Sequence, residues 1–237
     1  MPKYLQIINQ LSITIMEQES TMSISQELEE VRKAHRLIHS FQERMLSIIQ
    51  FIQWKLDFPD FYGVKQFSNP IKIYRQGEHK NYLKIYPDMW AWDFMYSYVF
   101  EYYLGEGSFE NGGDFKLSII QYADTGYFEN KNDEKNNPLY YAPIDESTSK
   151  LLFILELKPK KVKTWVWDID ELCMTKEYAS KEHTNTIIEN PKGNKQLLYS
   201  IPLEEFTDEG SALKALRKFA EYCCQNAGFD MDDFNID

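Results

Sequence analysis

Glu156 and Lys158 close the apolar run LLFILELKP (151–159), and Leu155 and Leu157 alternate with them. In a strand, side chains point to opposite faces with period two. An acid and a lysine two residues apart therefore share one face, while the leucines turn to the other. Presented together at a strand end, they can ligate a divalent cation and stabilise charge growing on a phosphate oxygen. Such a site needs a second acid on a neighbouring strand. Asp114 and Asp124 bracket the run DFKLSIIQY (114–122), which reads as that strand, and Glu101 precedes both. The plainer reading of the same residues is a strand that leaves the core and ends in solvated charge.

The order of an early acid, a strand aspartate and then Glu-x-Lys resembles the PD-(D/E)XK nucleases. The resemblance implies a Mg or Mn ion held by Glu156 and by Asp114 or Asp124. It also implies that Lys158 stabilises developing charge and that nucleic acid is the substrate. Only two fixed residues carry it, and neither aspartate follows a proline. The run VKTWVWDI (162–169) reads as another strand directly after the motif, where that superfamily usually supplies a helix.

Other chemistry-bearing groups read more simply. Lys160, Lys161 and Lys163 crowd one turn and form either an anion site or a solvated hairpin tip. His35, His39 and Glu43 recur at steps of four, a spacing that can hold a metal but more often marks packed or capping histidines. Cys173, Cys223 and Cys224 form no disulfide framework and no CxxC pair. No GxSxG elbow, phosphate-binding loop or GxGxxG occurs. The densest unusual chemistry is aromatic: Trp90, Trp92, Tyr96 and Tyr98 lie in DMWAWDFMYSYVFEYYLG (88–105), and such rings serve cores and partner surfaces alike.

The elements that must position these groups follow from periodicity. Ser23 and Gln26 have capping-box spacing, and Leu28, Val31, Ile38, Met45, Ile49, Ile52 and Leu56 then form one apolar stripe. That predicts a long helix ending before Pro59. PIKIYRQ (70–76) and NYLKIYP (81–87) alternate as strands, and 88–105 has helical spacing with Gly105 as its stop. LLFILEL and VKTWVWDI predict one hairpin, and TIIE (186–189) with KQLLYSI (195–201) a second. Residues 170–181 predict a short helix. Thr207 or Asp208 caps a last helix that Gly228 ends. The expected fold is α+β: a long N-terminal helix, a mostly antiparallel sheet with a mid-chain helix, and a C-terminal helix packed on the sheet. Residues 1–22 read as a dispensable extension, 23–229 as one domain, and 230–237 as a mobile acidic tail.

Composition narrows the function classes. The 237 residues carry a net charge of −11, which argues against a broad nucleic-acid footprint. Sixteen Tyr, 15 Phe and 5 Trp allow a sizeable core, with some rings expected at the surface as contact residues. No apolar run is long enough for a membrane span, and the free thiols fit the cytoplasm. The leading expectation is a microbial, non-enzymatic protein without cofactor or metal. It would bind another protein as an inhibitor, immunity or accessory factor through Trp90, Trp92, Tyr96 and Tyr98. The alternative is a Mg- or Mn-dependent nuclease or phosphodiesterase using Asp114, Asp124, Glu156 and Lys158.

Overall fold

The computed structural model describes residues 23–58, 62–66, 98–110, 112–129, 141–180 and 186–236, with backbone alone for 62–66, 170 and 186. The fold is α+β. Two compact units divide between Glu43 and Arg44.

Helix α1 spans Ile24–Lys55. The Ser23 backbone N–H donates to Gln26 Oε1 at 2.8 Å, and the Gln26 N–H donates back to Ser23 Oγ at 3.4 Å, so the expected capping box forms. Asp57, with φ of 56°, takes the left-handed conformation just after the helix end. In the larger unit, Met45, Ile49 and Ile52 of α1 and Leu56 just after it are buried, and Phe58 meets Phe115 edge-on at 5.9 Å.

The larger unit is built on a six-stranded sheet of order β1-β2-β3-β4-β6-β5. Its strands are β1 (Tyr62–Gln66), β2 (Val99–Ser108), β3 (Gly113–Tyr122), β4 (Lys150–Pro159), β5 (Thr186–Glu189) and β6 (Lys195–Pro202). Every neighbouring pair is antiparallel. Strand β4 lies inside the sheet between β3 and β6, and Leu151–Leu155 are buried throughout. Burial on both faces is why this segment reads as an unbroken apolar run.

One face meets helix α4 (Glu209–Ala227), where Phe153 packs on Phe219 at 4.6 Å and Tyr199 on Phe219 at 5.6 Å. Asp208 caps α4 by accepting the Ser211 N–H at 3.0 Å, and Gly228, at φ 80°, ends it. The other face carries a second core. There Ile120, Tyr122, Leu152, Ile154 and Leu198 pack with Tyr127, Phe128, Cys173 and Tyr178. Short helical turns α2 (Ile169–Leu172) and α3 (Lys176–Ala179) help to cover it.

Four expectations change. The described part of 88–105 is strand, not helix: Val99–Ser108 is β2, because β-branched and aromatic residues with both sheet faces to fill favour extended backbone. VKTWVWDI forms no strand. Both edges of β4 are taken by β3 and β6, so residues 160–168 run irregularly before α2. The mid-chain helix reduces to the four-residue turns α2 and α3. The acidic tail is tied down: Phe234 and Ile236 are buried, the Asn235 N–H donates to the Lys55 carbonyl at 2.8 Å, and Arg217 donates to the Ile236 carbonyl at 3.0 Å. The β5–β6 hairpin forms as expected. Residues 1–22, the strands expected at 70–76 and 81–87, and 130–140 lie outside the described residues. Among the described residues no helix is long and apolar enough to cross a membrane.

Truncating a buried isoleucine costs about 2 kcal/mol or more. Ile236→Ala should therefore lower the urea midpoint by that equivalent, whereas a free tail would give less than about 0.5 kcal/mol.

Candidate functional site

At the β4 end of the sheet, the face opposite α4 changes from apolar to charged. Ladder register fixes which groups meet. Lys116 of β3 stands opposite Glu156 of β4, and Asp114 opposite Lys158. On the far side of β3, Glu106 of β2 stands opposite Lys116 and Ser108 opposite Asp114. Gln196 of β6 stands opposite Glu156. A bulge between Tyr103 and Gly105, with Gly105 at φ 117°, sets this arrangement. Without its extra residue, Gly105 rather than Glu106 would face Lys116.

Signs alternate across this face, so each charge has an opposite neighbour. Lys116 Nζ lies 3.2 Å from Glu156 Oε2, and Lys158 Nζ lies 2.7 Å from Asp114 Oδ2. Ser108 Oγ donates to the other Asp114 oxygen at 2.8 Å. Trp165, from the irregular segment after β4, roofs the cluster. Its ring centroid is 4.9 Å from Lys116 Nζ and 5.1 Å from Lys158 Nζ, and its Nε1–H donates to Glu106 Oε2 at 3.2 Å. An indole face attracts an ammonium by about 0.5–2 kcal/mol, most where water is excluded.

The two carboxyl groups are shifted in opposite directions. Asp114 is accessible, and the Lys158 ammonium, followed by the Ser108 hydroxyl, holds its carboxyl below the ordinary range. Glu156 is 1% exposed, and burial pushes its carboxyl up while Lys116 opposes. Lys116 stands 3.2 Å from one Glu156 oxygen, and the Gln196 side chain, opposite on β6, also acts to hold the carboxyl down. A buried carboxylate is costly to desolvate, and such groups concentrate where function requires them.

The sequence-predicted residues separate into groups. Asp114, Glu156 and Lys158 come together on one face. Asp124 lies past Tyr122, at the end of β3 remote from Glu156, where its Oδ1 accepts the Gly126 N–H at 2.8 Å. Glu101 is on β2, not a helix, and accepts the Ser118 hydroxyl at 2.6 Å. Lys160, Lys161 and Lys163 are exposed on the segment after β4. Tyr98 is half-buried, stacked on Tyr127 at 5.6 Å and edge-on to Tyr141 at 5.7 Å. Trp90, Trp92 and Tyr96 lie outside the described residues.

The smaller unit holds His39 Nδ1 at 3.4 Å from Glu43 Oε2. Cys173 and Cys223 are buried, and burial pushes the Cys223 thiol well up. Among the described residues no three His, Cys, Asp or Glu side chains gather as a preformed metal cage. Lys116, Glu106, Gln196 and Trp165 were missed in the sequence. Alternation in DFKLS could have given Lys116 beside Asp114, but nothing local points to Trp165.

Residues 21–228 match a family model described as PM0109. No curated protein and no solved structure matches the chain.

Lys116→Met leaves Glu156 as a buried charge without its counter-ion, a change that costs about 3–5 kcal/mol. A carboxyl already raised in the folded state favours folding when protonated, so the loss should be large at pH 7 and shrink toward pH 5. Urea denaturation at both pH values checks this. An equal loss at both would mean that Lys116 does not act through Glu156.

Proposed function

We propose, for a chain that belongs to the PM0109 family, that the charged sheet face is a divalent-metal centre of a nuclease or phosphodiesterase. One observation carries the reading: Asp114 and Glu156 stand diagonally on one face of adjacent strands, with Lys158 directly opposite Asp114, and the Glu156 carboxyl is almost fully buried. An oxygen-preferring cation would bind these two carboxylates in competition with the lysines that now pair with them. Mg²⁺ and Mn²⁺ sites commonly use one or two carboxylates and complete their shell with water and substrate phosphate, so a three-acid cage is not required. In this reading Glu156 and Asp114 are the ligands. Lys158, released from Asp114, donates to the phosphate oxygen on which charge develops. Trp165 covers the lysines and must shift for substrate to enter.

Calorimetric titration with Mn²⁺ tests the metal step. Saturable binding is expected in the wild type, lost in Glu156→Gln and weakened at least tenfold in Asp114→Asn. An absence of binding in the wild type would overturn the reading. Lys158→Met should retain Mn²⁺ binding and lower cleavage of DNA or RNA about 10²–10³-fold.

A second reading, a protein-binding role of inhibitor, immunity or accessory type, is favoured by the segment after β4. Val166 is 45% exposed there, flanked by half-exposed Trp165 and Trp167 and preceded by Lys160, Lys161 and Lys163. Aromatic side chains beside cations are the composition of interface hot spots. Val166→Asp should abolish capture of such a partner while leaving the melting temperature unchanged; retained capture would count against this surface.

A further inference from the structure

The stripe that buries Met45, Ile49, Ile52 and Leu56 has a counterpart earlier in α1. Ile24, Leu28, Val31, His35 and Ile38 recur at alternating steps of four and three, which are the d, a, d, a, d positions of a heptad. Ile24 is 70% exposed, and Leu28 and Val31 are each 51% exposed. Three large apolar side chains in a row on one helix face are what a helical partner would cover.

The flanking charges select the partner and its direction. Glu27 occupies a g position and Arg32 the e position five residues on. In a parallel two-stranded coil, each g residue faces the e residue five further along the other chain. Glu27 of each copy then meets Arg32 of the other, twice by symmetry. Antiparallel pairing sets g against g and e against e. The g positions are Glu27, Ala34 and Phe41, and the e positions Ser25, Arg32 and His39, so no antiparallel register joins an acid to a base. We infer that residues 24–41 of α1 pair with the same segment of a second copy as a short parallel coiled coil. His35, polar at an a position, favours the in-register arrangement at some cost in stability. The seam is short, so association is weak and concentration-dependent. The metal-centre reading plays no part in this inference.

Sedimentation of the full chain from about 1 to about 100 µM should show the mass rising from 28.2 kDa toward twice that value. Leu28→Glu should hold it at the monomer mass with unchanged circular dichroism. Glu27→Arg should weaken association several-fold, and Glu27→Arg with Arg32→Glu should restore it. Val31→Cys places a thiol at a d position, where parallel in-register chains oxidise to a covalent dimer. A chain that stays monomeric throughout, or a dimer unaffected by Leu28→Glu, would overturn the inference. Leu28-dependent association without the Val31→Cys cross-link would overturn the parallel arrangement.

Discussion

The Lys116–Glu156 ion pair, 3.2 Å long, stands where the apolar interior of β4 gives way to its charged end, and the layout of that sheet face turns on it. The cost of burying Glu156 at 1% exposure is offset by the ammonium that the register of β3 brings opposite it, with Gln196 of β6 on its other side. The same register sets Asp114 against Lys158. Slippage of β4 by one residue against β3 would turn Glu156 and Lys158 toward α4, away from Lys116 and Asp114, and turn Leu155 and Leu157 away from it. Pairing of these strands is thus fixed twice, by the apolar faces and by charge.

That coupling gives the two carboxylates opposite characters. Asp114 is accessible and held ionised by Lys158 and Ser108, whereas Glu156 is buried and its carboxyl raised. Neighbouring acids pushed apart in this way can divide roles, one held in its charged form while the other takes a proton or a cation more readily. Trp165 adds to the contrast, because a ring over both lysines lowers their access to water and strengthens their pull on the acids beneath.

Legibility in the sequence followed the range of the interactions. The start of α1 is set by Ser23 and Gln26, three residues apart, and could be read directly. Strand β4 was legible from its length and apolar content, and its alternation correctly put Glu156 and Lys158 on one face. What failed was non-local. VKTWVWDI has the alternation of a strand, but strands distant in sequence had filled both edges of β4. In 88–105 the helical spacing of a few aromatics competed with β propensity, and over Val99–Ser108 the sheet won. The acidic tail was judged by its charge, whereas Phe234 and Ile236 among those acids hold it down. Trp165 was invisible as a site residue because its partners, Glu106, Lys116 and Lys158, come from three different strands.

The chain's net charge of −11 constrains what such a face could receive. A polyanion approaching from a distance meets net repulsion, which salt screens over roughly 8–10 Å. On the metal-centre reading, attraction would come from the exposed Lys160, Lys161 and Lys163, which follow β4 directly, and from a cation held by Asp114 and Glu156. A long duplex would lay many phosphates against acidic surface for each one near those lysines. A strand end or a short phosphodiester avoids that cost, since one or two phosphates suffice to meet the lysines and the cation together. On the metal-centre reading, charge therefore favours compact phosphoester substrates over extended nucleic acid. The indole of Trp165 could stack on a base carried by such a substrate once displaced from its lysines.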